Sequence, residues 1–589
     1  MSTRSNLTEL EAHGLIHVAS SEEAEYMFRH VLTQDAAYAS LVKQDRRRLN
    51  QIVGETLEQL YPDRVEQMSP RLAQHFDSAG DDQRALKYYR LAGDQAKQVY
   101  ANAEAAVHYR HAIEAAHQMN ALPDASQVLL TLYLQHGQAL HSSADWQGAL
   151  DNFVELQRFA VKHGDRTLEM HSLIEQAMLR AIFGPLMNSA SAIELSQAAL
   201  AIARELDQRD IEARILWVLM RATVEQGRSP QQALEYGEQS LALARELNLS
   251  EQLAYTLNDI QYAYREAGQP QQAMAALAEA RAFWRANDNQ HMLSDNLGQA
   301  ALIDLYRGDL ESARQYAQES AQVSAASANL VQMVLSHFTL ALIQLERGEV
   351  SAAWQLLSNE EDQAVPTGKG MIMMVGLMCG ELGQVDRGIQ LAENLLRDIR
   401  NTGLMAIFGA GVLGTLAKLK LMKNNLPEAQ QLIDQAQQLM GARTLLTQFL
   451  GGEQMLMSQI EVKLAEGESI AAAQLADQLL EQVRRYEVRR LLPGLLRLKS
   501  RALAAQNKID AAVAGLSEAH AQAAAVGAHW GVWSILIDLY TIELRRGHND
   551  QAQRWQAAAQ QEIQYIADRC PIDLKTSFLN SPDIQAVRR

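Results

Sequence analysis

Between about Leu216 and Leu357 one pattern returns four times: an apolar, helix-like run, a glycine, a polar break and then an alanine. The four passages are Gly227-Arg-Ser-Pro-Gln-Gln-Ala233, Gly268-Gln-Pro-Gln-Gln-Ala273, Gly308-Asp-Leu-Glu-Ser-Ala313 and Gly348-Glu-Val-Ser-Ala-Ala353, and their alanines stand 40 residues apart each time. A period of that length accommodates one helical hairpin, which cannot bury its apolar faces alone and must stack on its neighbours. The chain is therefore expected to be all-α, a right-handed superhelical solenoid of helical hairpins, and to work by binding.

The residue types fit that unit. Glycine ends the first helix in the left-handed conformation without a Cβ penalty, while Ser229, Asp309, Pro230 and Pro270 suit the start of the second. The recurring alanine falls where the two helices cross, and a small side chain there lets the backbones approach. Counting back from each glycine, the eighth residues are Leu219, Ile260, Ala300 and Leu340, and the eleventh are Leu216, Leu257, Leu297 and His337. Both columns are spaced to point inward from one helix face.

The five-residue step from Gly308 to Ala313, with an apolar residue eight before the glycine, resembles the tetratricopeptide repeat. Thr223, Asp304 and Gln344 stand where that family often has Tyr, and the period of 40 exceeds its usual length of about 34. Longer helices of this kind resemble the repeat arms of bacterial signalling ATPases and large transcriptional activators. In the repeat family, positions thirteen, ten, six, three and two before the glycine face a concave groove. The resemblance thus implies a partner-binding surface at Arg214, Trp217, Arg221 and Glu225, continued by Tyr255, Asn258, Tyr262 and Arg265. Val224 and Glu266 share it, and before Gly348 the same positions are the mostly apolar Leu335, Phe338, Leu342, Leu345 and Glu346. Trp, Tyr and Arg are frequent interface anchors, so an acidic or mixed partner segment is expected there. The competing reading is that the aromatics fill gaps between hairpins and the arginines form surface ion pairs.

Residues 1–69 do not follow the repeat. Leu7 to Val18, the Glu25-Tyr-Met-Phe-Arg-His-Val31 stretch and a helix opened by Arg46-Arg47-Arg48 resemble, as one ordered run, the segment after the nucleotide-binding core of STAND-type signalling ATPases, including those fused to bacterial class III nucleotide cyclases. The resemblance covers about residues 7–118 and implies a small winged-helix-like module with a short hairpin at 1–69. It also makes His30 the counterpart of a histidine that contacts nucleotide, although Val31 stands where an Asp is common. A Gly-x-x-x-x-Gly-Lys-Ser/Thr loop is absent from the sequence, so the chain is expected not to hydrolyse ATP; His30 reads first as a structural residue at a helix start, and any nucleotide sensing by it is expected only in trans with a separate ATPase.

The repeats are expected over 70–569, with a joint near 358–370 where Pro366, Gly368 and Gly370 interrupt a helix, and with Asn424 and Asn507 in the glycine role. Residues 570–589 read as a tail, and Cys570 to Pro582 resembles the closing segment of the same ATPase arms. The helix-turn-helix reader of a maltose-regulon-type activator is not seen after it.

Composition narrows the function. A net charge of -17 disfavours general attraction to nucleic acid or anionic membrane, and the longest apolar runs are too short to span a bilayer. Cys379 and Cys570 are too few and isolated for a disulfide framework or zinc site, which points to a reducing, cytoplasmic setting. The 16 histidines fall in no metal-binding or nucleophile motif, so neither catalysis nor a cofactor is expected. The Met371, Met373, Met374, Met378 group reads first as core, and the Arg484-Arg485 and Arg489-Arg490 pairs first as surface. A protein-binding scaffold or sensor arm of a bacterial signalling system is the leading expectation. A small-molecule effector arm of a transcriptional regulator, or a truncated remnant of a larger STAND ATPase, is the alternative. An open surface favours the first, and a closed, aromatic-lined pocket favours the effector arm.

Overall fold

A computed structural model describes residues 3–20, 25–119, 124–181, 184–227, 229–402, 404–440 and 452–588. Among them the protein is an all-α solenoid apart from one short hairpin. Contacts divide it into two compact units, 1–179 and 180–589.

The first unit opens with the helix Thr3–Ala12 and the antiparallel strands Ile16–Ser20 and Glu25–Phe28, paired with Ile16 opposite Phe28. The helices Val31–Ser40 and Lys43–Leu60 follow. Beyond them the helix Asp82–Gln98 packs against both Ser69–Ala79 and Asn102–Gln118, and Ala85 and Ala105, 20 residues apart, are both fully buried. Aromatics fill this core. Phe76 stacks on Tyr88 at 5.7 Å, and Tyr109 and Tyr133 are fully buried with their hydroxyls donated to Asp94 and Glu155.

The second unit carries the regular hairpins. Ala233, Ala273, Ala313 and Ala353 are fully buried at their crossings, and Leu216, Leu219, Leu257, Ile260, Leu297 and Ala300 are buried as the columns require. In the fourth repeat Leu340 is only half-buried, and the half-buried His337 bonds the buried Asp362 at 2.7 Å. The glycines at 227, 268, 308 and 348 are left-handed, and Asn424 and Asn507 take the same conformation, their φ values being 57° and 62°. Pro230 and Pro270 open their helices. The second helix of the fourth repeat, Val350–Leu357, stops after eight residues, followed by the short turns Glu360–Ala364 and Pro366–Gly368.

Later hairpins of this unit return to touch the tips of earlier ones. Gly268 faces Arg485 and Tyr486, Gly308 faces Val526, Gly348 faces Ile566 and His529, and Gly383 faces Ser577. Hydrogen bonds fasten these contacts: Gln271 donates to Glu487 at 2.7 Å, the amide and hydroxyl of Ser351 donate to the Arg569 carbonyl, and the amides of His529 and Trp530 donate to the Glu346 carbonyl. The array therefore comes back on itself after five to six repeats of 40 residues, since Gly308 and Val526 are 218 apart.

Candidate functional site

The first helices of successive hairpins lie side by side in the second unit, and polar side chains join them at separations near one repeat. On Arg209–Gln226 and Ser250–Glu266, Trp217 donates its indole N–H to Asp259 at 2.9 Å and Arg221 pairs with the same carboxylate at 3.1 Å. The Arg221 guanidinium also lies over the Tyr262 ring, 5.2 Å from its centroid. Burial works against that charge more than any one neighbour favours it, but Asp259, Tyr262, Glu225 and Asp295 together outweigh it and hold Arg221 above its ordinary pKa. One repeat on, Asn258 donates to Asp295 at 2.9 Å and accepts from Asn296. Tyr255 packs between Trp217 and Trp284, with ring centroids 5.8 and 5.0 Å away.

The structure thus brings most of the sequence-predicted residues onto one wall, at two depths. Arg214, Trp217, Arg221, Glu225, Tyr255 and Tyr262 are half-buried, while Asn258 and Arg265 are buried and bind the wall together. Arg265 bonds Gln261 at 3.2 Å. His30 lies elsewhere, exposed at the N-cap of Val31–Ser40, and its side chain makes no cap hydrogen bond.

The same wall continues into a partly open cavity of about 190 Å³ lined by six consecutive first helices. The first of the six, Leu330–Glu346, contributes Phe338, Leu342, Leu345 and Glu346, and Lys369–Glu381 contributes Met373, Met374, Leu377 and Glu381. Lys418 comes from Met405–Met422, and Glu453, Gln454, Met457 and Glu461 come from Gly452–Ala465. The turn Arg489–Leu491 and the helix Leu492–Ala505 bring Arg490 and Arg497, and Trp530 stands just before Val532–Arg545.

Ion pairs line the cavity. Lys418 contacts Glu381 closely and Glu461 at 3.9 Å, Arg490 pairs with Glu346 at 2.6 Å and Glu453 at 3.5 Å, and Arg497 pairs with Asp538 at 2.6 Å. Burial opposes both charges of the Lys418–Glu381 pair, yet Glu381 with Glu461 holds Lys418 above, and Lys418 with Arg497 holds Glu381 below, their ordinary pKa values. Arg490, expected at the surface, is mostly buried here, whereas Arg484 does pair at the surface with Glu518. Met371, Met373 and Met378 are core, and Met373 and Met374 also line the cavity. Among the described residues no group of His, Cys, Asp and Glu is arranged to hold a metal ion, and no helix is long and apolar enough to cross a membrane.

No family model matches the chain, and no curated protein matches it in sequence. Among solved structures it is similar to the apo form of the quorum sensor NprR from B. thuringiensis, at 14% identity and a TM-score of 0.44 over 59% of this chain and 98% of that one. It is also similar to the STAND protein with a tetratricopeptide repeat sensor PH0952 from Pyrococcus horikoshii, at 13% identity and a TM-score of 0.35 over 62% of this chain and 58% of that one. The APC/C hetero-tetramer Cut9-Hcn1 matches at 11% identity and a TM-score of 0.45 over 92% and 97%. The assignment of the fold rests on the chain's own helices and turns.

Proposed function

We propose that this chain is a non-catalytic regulatory arm that captures a segment of a protein partner on the inner wall of its second unit. The observation that carries the reading is the partly exposed Trp217, Tyr255 and Tyr262 on adjacent first helices, with the mostly buried Arg221 lying over the Tyr262 ring. Stacking hairpins requires small and aliphatic residues at the crossings, whereas large aromatics and arginine with one face open are the side chains that anchor partners. Arg221 is held by Asp259, so simple truncation would strand a buried carboxylate. The test is a peptide-display selection on the intact chain, followed by the double variant Arg221→Lys, Tyr262→Leu. Selected peptides are expected to be acidic or mixed and to lose about 30-fold in affinity with an unchanged melting temperature. Equal binding to parent and variant would refute the site.

The partly open cavity, with its apolar lining and convergent charged groups, favours a second reading of the same wall, an arm that also answers to a small-molecule effector. For the first unit the proposal is a contact with a separate STAND-type ATPase, supported by the exposed Met27, Val31 and Leu32 beside His30. His30→Ala is then expected to change that ATPase's nucleotide affinity, and an unchanged affinity would end the idea. A cytoplasmic setting is proposed on the two buried, free thiols of Cys379 and Cys570.

A further inference from the structure

Charge is unevenly compensated in the cavity. Of its seven ionisable lining groups, Arg497 is taken up by Asp538, which lies outside the lining. Lys418 and Arg490 are each shared between two carboxylates, with the closer contact going to Glu381 and Glu346. Glu461 is left with the longer Lys418 contact at 3.9 Å and the neighbouring charge of Arg497, and Glu453 with Arg490 at 3.5 Å and the hydroxyl of Tyr306, which donates to it at 3.2 Å. Both stand on the helix Gly452–Ala465, eight residues apart, which is about 12 Å along one face. Met457 stands midway between them and lines the cavity, as do Leu342, Leu345, Met374 and Leu377.

We propose that the cavity binds a linear aliphatic diamine, one ammonium on Glu453 and the other on Glu461, with the methylene chain along Met457 and the apolar lining. The inference rests on reading the cavity as an effector site and names the class of effector. Each ammonium would supply the positive charge its carboxylate lacks in a partly desolvated setting, where a charge-assisted hydrogen bond is strong. An anion would instead face four carboxylates, and a neutral chain would leave both under-paired. Burial raises the Glu453 carboxyl above its ordinary pKa despite Arg490, as suits a charge awaiting a partner.

Calorimetric titration of the full chain with octamethylenediamine, octylamine, octamethylene glycol and suberate tests the proposal. The diamine is expected to bind at least about 10-fold more tightly than octylamine, and octylamine more tightly than the glycol. Glu453→Gln and Glu461→Gln should each reduce the diamine to the level of octylamine, and Met457→Lys, which plants an ammonium between them, should abolish its binding. The exposed Asp386→Asn should change nothing. Parity of diamine and octylamine overturns the two-ended site. Tighter binding of glycol or suberate overturns the cationic class while leaving an effector cavity standing, and failure of all four compounds overturns both.

Discussion

Glu266 is 4% exposed, and among the described residues neither carboxylate oxygen has a hydrogen-bond partner. Burial first, and then the neighbouring Glu225, push its carboxyl up to about 8 against the pull of Arg265. The folded chain therefore keeps a proton that the unfolded chain releases near 4.5. Stability contributed by this site is fully present below that value and is lost as pH rises towards 8, at up to about 1.4 kcal/mol per pH unit. Glu266→Gln is expected to raise the melting temperature clearly above pH 8 and hardly at all near pH 4.5; the same shift at both pH values would contradict it. Glu266 is legible as a position, because it stands two before Gly268 as Glu225 stands two before Gly227. Its burial is not, since that depends on which neighbours close over the wall. The same counting rule reaches the cavity when carried to later left-handed turns. Glu381 is two before Gly383, Lys418 six before Asn424, Glu461 six before Gly467 and Arg497 ten before Asn507. Glu453 and Arg490 fall outside the rule, and no sequence spacing marks them.

Hairpin tips show the same division between local and distant causes. Gly308 and Gly467 are both left-handed, with φ of 84° and 82°, yet a Cβ on Gly308 would lie 2.5 Å from Val526 while one on Gly467 would meet nothing within 4 Å among the described residues. Gly308→Ala and Gly467→Ala share a backbone penalty of roughly 1–2 kcal/mol, and Gly308→Ala should add about 1–3 kcal/mol of overpacking. Denaturant midpoints measure the difference, and equal losses would mean that the tip has no such neighbour in solution. The tips are readable because glycine and asparagine suit a left-handed residue. A second left-handed turn joins each hairpin to the next, at Asp207, Asn248, Asp288 and Ala328. The Asp and Asn residues are a usable signal for it, since their short side chains tolerate that conformation, whereas Ala328 gives none. The contact of Gly308 with Val526 leaves no local mark at all, because it depends on small rotations accumulated over several repeats.

Those returning contacts decide how the second unit should behave as a body. A simple stack touches only its neighbours, so its stability is nearly a sum over repeats and its ends can open alone. Here Glu346 accepts the amides of His529 and Trp530 at its carbonyl and binds Arg490 through its side chain at 2.6 Å. Arg569 reaches back to Glu349 at 3.1 Å in the same way. Opening the later repeats would therefore expose the tips of the middle ones, and the two stretches should protect each other. Arg490→Met tests this because it strips a cation from two largely buried carboxylates, Glu346 and Glu453, at an expected cost of about 3–5 kcal/mol. Amide hydrogen exchange should then accelerate together in the helices Leu330–Glu346 and Val532–Arg545, although neither carries the substitution. If acceleration stays confined to the residues around 490, the repeats open independently and the returning contacts do not couple them.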